Sequence, residues 1–86
     1  MYLHLGQDVV VPSRTIVGIF DIENTSISKI TKEFLGSEEK LHHVINVSME
    51  LPKSFVICRE KGENVVYISQ ISCATLKKRA ADGNGD

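Results

Sequence analysis

Three short apolar runs broken by glycine and proline fill the first twenty residues, and this punctuation commits the start of the chain to strands. The first run covers residues 2–5, Gly6-Gln7-Asp8 supplies a turn, the second covers 9–11, Pro12-Ser13 interrupts, and the third covers 15–20. None is long enough for a stable amphipathic helix, and the second and third are rich in β-branched residues. Arg14 falls between the second and third runs, where a strand is entered. An isolated cation at such a connection can meet a phosphate or bridge to a neighbouring carboxylate such as Asp8 or Asp21, and spacing alone leaves both open.

Beyond Phe20 the pattern changes period. Thr25 or Ser26 can cap a helix whose apolar positions Ile27, Ile30, Phe34 and Leu35 form one stripe, and Gly36 ends it. Residues 37–43, SEEKLHH, read as a polar loop leading into a short strand at 44–47. Residues 55–58 and 65–68 form two further apolar strands joined by the charged turn 59–64. Ser72 caps a last helix with Leu76 turned inward and Lys77, Lys78 and Arg79 crowding its final turn. Strand, strand, strand, helix, strand, strand, strand, helix describes an α+β chain: a small β-rich domain with mainly antiparallel strands and two helices.

Eighty-six residues accommodate one domain, read as residues 1–81 followed by a disordered tail at 82–86. With three Phe, two Tyr and no Trp, the core is modest. Two cysteines cannot supply a disulfide framework, so added stability is expected from a partner subunit. Cys58 and Cys73 lie among apolar neighbours, as reduced, partly buried thiols do. No apolar run reaches the length of a membrane span, and no basic stretch followed by a long apolar core opens the chain. A cytoplasmic protein is expected.

Enzymatic signatures are missing. The glycines form no phosphate-binding loop, no serine sits in a GxSxG setting, and the carboxylates Asp8, Asp21, Glu23 and Glu50 are dispersed. His42 and His43 are adjacent, so their side chains diverge and make poor co-ligands. The expectation is a non-enzymatic protein without metal, cofactor or small-molecule substrate. The net charge of −1 includes Asp82 and Asp86 of the tail, and without them ten basic side chains face nine acidic ones.

The pattern HLGQDVVVPSRTIVGIF, then PKSFVIC, then ISQISCATLKKRA resembles the small bacterial extracellular-matrix (biofilm) regulators of the RemA/RemB family, the RemB branch most closely, from residue 1 to about 81. The resemblance implies a LytTR-like fold, assembly into a ring, and transcriptional regulation of matrix genes through double-stranded DNA. It also identifies Arg14 as the functional arginine. The RemA branch carries an arginine cluster before the strand that begins near Phe55; here Leu51-Pro52-Lys53-Ser54 keeps only Lys53 as a second contact. Lys77, Lys78 and Arg79 either extend a phosphate-binding edge or complement the helix dipole. A ring of near-neutral subunits would align one or two cations per protomer along a bent duplex and sum weak contacts. The alternative is an oligomeric protein-interaction module with weak or no DNA binding.

Overall fold

The computed structural model describes residues 1–22, 29 and 41–82. Within them the strands are β1 (Tyr2–Gly6), β2 (Val9–Pro12), β3 (Ile16–Asp21), β4 (Leu41–Asn46), β5 (Ser54–Glu60) and β6 (Glu63–Ser69), followed by helix α1 (Cys73–Ala81). Of the helix expected over 27–35, only residue 29 is among the described residues, and it is helical. β1 and β2 form an antiparallel hairpin, and the other four form a sheet in the order β3-β5-β6-β4. β3–β5 and β5–β6 are antiparallel, whereas β4 runs parallel to β6.

Composition explains which strands are central. Phe55, Val56, Ile57 and Cys58 of β5 and Val65, Val66 and Tyr67 of β6 are all buried, so both strands are apolar on both faces and must be covered twice. Alternation sorts them. Val56, Cys58, Val65 and Tyr67 face a cluster completed by Leu3, Leu5 and Val11 of the hairpin and Leu76 of α1. On the opposite face Phe55, Ile57 and Val66 meet Phe20, Ile22 and Ile68, and the Phe20 and Phe55 rings stack with centroids 5.5 Å apart.

Turn chemistry sets the hairpins. Lys61 and Gly62 connect β5 to β6 with φ of 52° and 81°, the pattern of a type I′ turn that matches strand twist. Pairing continues from Ser54↔Ser69 to Glu60↔Glu63, so the charged turn read over 59–64 contracts to two residues. The expected loop at 37–43 is likewise corrected at its end: β4 begins at Leu41 and includes His42 and His43. Parallel pairing to β6 extends it, because β6 supplies a ladder that the polar local sequence does not announce.

Two buried serines tie the pieces together. Ser69 Oγ donates to Leu5 O at 2.7 Å and accepts from Ile71 N at 3.0 Å, joining the sheet to the hairpin. Ser54 Oγ donates to Ile71 O at 2.7 Å. Ser72 then caps α1 as expected, accepting from Thr75 N at 3.2 Å. At the other end Asp82 closes the helix, its N–H donating to Lys78 O at 2.9 Å. Among the described residues no helix is long and apolar enough to cross a membrane.

Candidate nucleic-acid interface

Proline creates the position of Arg14. Pro12 has no N–H to continue the ladder, and the chain turns through a single 3₁₀ turn, Ser13–Thr15, before entering β3. Ser13 N donates to Met1 O at 2.9 Å and Thr15 Oγ1 donates to Pro12 O at 2.7 Å, which fixes the turn at both ends. No residue of the turn is buried, and Arg14 is exposed. Among the described residues its side chain has no hydrogen bond or ion pair. Asp21, one of the two carboxylates offered as a bridge, lies at the far end of β3.

Register decides its neighbours. Ile16 pairs with Cys58, so the turn before β3 comes alongside the far end of β5 and the β5–β6 turn. Arg14, Arg59 and Lys61 consequently line one recess of about 420 Å³ with Pro12, Thr15 and Glu60. Three cations and one carboxylate give the recess a formal charge of +2, against −1 for the whole chain. The Tyr67 hydroxyl donates to Glu60 Oε2 at 2.8 Å and holds that carboxylate.

Behind the recess the titratable groups stay neutral. Burial pushes the Cys58 thiol up to about 11, with a smaller opposing effect from a Thr15 hydrogen bond and a further rise from the Glu60 charge. Tyr67 is raised by burial first, then by its hydrogen bond to Glu60 and the charge there. A protonated, enclosed thiol is a packing group and not a nucleophile.

The other sequence-derived positions lie elsewhere. Lys53 precedes β5, about 20 Å from the recess at the usual rise per strand residue. It lines a smaller hollow with Asp21, Leu51, Pro52, Ser72, Cys73 and Ala74, where its charge is matched by a carboxylate. Lys77 and Lys78 are exposed on α1, outside the recess of Arg14. Arg79 is half-buried and its Nη1 donates to His4 O at 3.5 Å, which ties it to β1. The five expected cations therefore do not form one cluster. Arg59 and Lys61 were read in sequence only as members of a charged turn; two cations two residues apart at a lysine–glycine turn were the available signal, which says nothing of their proximity to Arg14.

With this geometry in place, the comparisons become informative. The model of the RemA-like family, described as extracellular matrix regulatory protein A-like, matches residues 2–80. The chain belongs to the RemA-like family. It is also 44% identical over 80 residues to extracellular matrix regulatory protein B of Bacillus subtilis (strain 168), covering 93% of this chain and 90% of that protein. No solved structure matches. The RemA-like match includes β1 through most of α1, so the Arg14 turn, the β5–β6 hairpin and both buried serines all fall within it.

Proposed function

We propose that this protein is a non-enzymatic, DNA-binding transcription regulator of bacterial extracellular-matrix genes that works as a ring oligomer in the cytoplasm. The observation that carries this reading is the exposed Arg14 in a recess of formal charge +2 on a chain belonging to the RemA-like family. An outward arginine in a positive concavity suits a phosphate or a narrowed minor groove, and among the described residues no ion pair engages its charge. One protomer supplies few such contacts, so affinity depends on repetition around a closed assembly, with sequence preference arising from the ease of bending.

Lys53 would be a second contact, reaching a different part of the duplex. Its separation from the recess corresponds to about six base pairs of rise. Lys77 and Lys78 can add to the field from α1, whereas Arg79 is partly committed to the His4 carbonyl.

A second reading, an oligomeric interaction module with little DNA affinity, draws on exposed apolar side chains. Met49 and Leu51 are almost wholly exposed, and Val44 and Ile45 stand out on β4, the sheet's edge. Fluorescence anisotropy with a labelled AT-rich duplex, together with native mass with and without DNA, separates the two. The DNA-binding reading expects an oligomer that binds at about 50 mM salt and weakens steeply by about 200 mM, with Arg14→Ala lowering both affinity and salt slope. An oligomer that leaves the duplex unbound at low salt establishes the second reading, and unchanged binding by Arg14→Ala removes Arg14 from the mechanism.

A further inference from the structure

Resting on the DNA-binding function proposed above, we infer that Lys61 and Arg59, at the β5–β6 hairpin tip, are DNA-contacting residues that share one backbone phosphate site with Arg14, and that Glu60 weakens this site.

The turn before β3 and the hairpin tip are remote in sequence, yet the Ile16↔Cys58 register sets them against one another around a single recess. A phosphodiester has two outward oxygens and one negative charge, and cations from two different chain segments can contact it from two sides. The recess has the required sign, whereas the hollow around Lys53 is lined by one lysine and one carboxylate, Asp21. Lys61 is exposed at the sheet's extremity, where a duplex can approach without meeting the core.

Glu60 is the one carboxylate lining the recess, among the described residues. It is held by the 2.8 Å hydrogen bond from Tyr67, so it cannot simply swing out of the way of an anion. Its negative charge opposes phosphate binding at short range, and a near-neutral subunit is thereby kept a weak binder until copies are assembled.

The backbone supplies a clean variant. Lys61 has φ of 52°, a conformation in which asparagine is favoured over most side chains. Lys61→Asn therefore removes the charge while suiting the turn, and its melting temperature should equal or exceed that of the parent. Glu60→Gln keeps an acceptor for Tyr67 and deletes the opposing charge.

Anisotropy of a labelled duplex across a salt series reads both variants on the whole 86-residue chain. Per protomer engaged, Lys61→Asn should lower the salt slope by about 1 and the affinity at about 0.1 M salt by roughly five- to tenfold, since a phosphate contact carries a slope near 0.9. Glu60→Gln should raise affinity by roughly twofold at low salt, with the gain fading as salt screens it. If Arg14→Ala weakens binding while Lys61→Asn matches the parent in affinity and slope, the shared site is wrong and the DNA-binding function stands. Equal or weaker binding by Glu60→Gln overturns the role given to Glu60. A parent protein that binds no duplex at low salt overturns both the function and this site.

Discussion

Replacing Ser69 by alanine deletes one oxygen and should cost far more than an ordinary serine substitution. Ser69 is fully buried at the end of β6, and its hydroxyl serves Leu5 O at 2.7 Å and Ile71 N at 3.0 Å. Alanine makes neither bond, leaving a buried carbonyl in the hairpin and an N–H at the entry to α1 without their partner. Each neutral hydrogen bond contributes about 1 kcal/mol net, and each group left unsatisfied in the interior costs about 1–3 kcal/mol. Because Ile71 is half-buried and water can reach part of it, the expected loss is about 2–4 kcal/mol in total. A domain of this size is stabilised by about 4–13 kcal/mol, so the change consumes a large share. Urea unfolding followed by circular dichroism measures it: with a slope of about 1 kcal/mol per molar, the midpoint should fall by about 2–4 M at unchanged slope. Amide exchange should accelerate in β1 and β2 before β5 and β6, since the hairpin loses its tether to the sheet. A loss below about 0.5 kcal/mol, or uniform acceleration of exchange, would refute the idea that this hydroxyl joins the two sheets.

Three further outcomes follow from the same structure. Gly6 and Gly62 both have positive φ, but a Cβ at Gly6 would stand 2.6 Å from Gln70 Oε1 whereas one at Gly62 meets nothing within 4 Å. Gly62→Ala should therefore cost about 1 kcal/mol and Gly6→Ala measurably more, as thermal melts of the two variants will report. Ser72→Ala should cost about 1 kcal/mol by removing the acceptor for Thr75 N, with helical ellipticity falling as α1 frays; an unchanged unfolding midpoint would dispute the cap. Cys58 and Tyr67 both have raised folded-state pKa values, so each favours the folded state while protonated. That contribution is intact below the ordinary thiol value of 9.0 and is lost as pH climbs towards about 11, with Tyr67 continuing the loss above 10.0. Melting temperature should fall over this window, and near neutral pH Cys73 should react with a thiol reagent well before Cys58; the reverse order would contradict the enclosed position of Cys58.

The order of strands and the capped last helix were legible because each depends on local chemistry. Gly6 and Pro12 interrupt short apolar runs, a charged stretch with Gly62 separates two more, and Ser72 sits immediately before a helix-forming stretch. The central place of β5 and β6 came from the structure, where both strands are buried on both faces. The beginning of β4 was obscured because its ladder comes from β6, which pairs with it in parallel and lies well beyond it in the chain.

Sequence by itself determined that this chain is β-rich with mostly antiparallel strands, placed Arg14 at the entrance to a strand, and carried the family resemblance along nearly its full length. Tertiary structure alone decided which cations share a surface. Ile16 against Cys58 brings Arg59 and Lys61 to Arg14, while the length of β5 removes Lys53 to the opposite end and the His4 carbonyl engages Arg79. The buried roles of Ser54 and Ser69 were equally invisible, since a serine near a strand end looks solvent-facing until another segment packs over it. The physical reason is common to both: turns and caps are satisfied by neighbours in the chain, whereas a charge cluster or a buried hydrogen bond between sheets requires partners that only register and packing bring together.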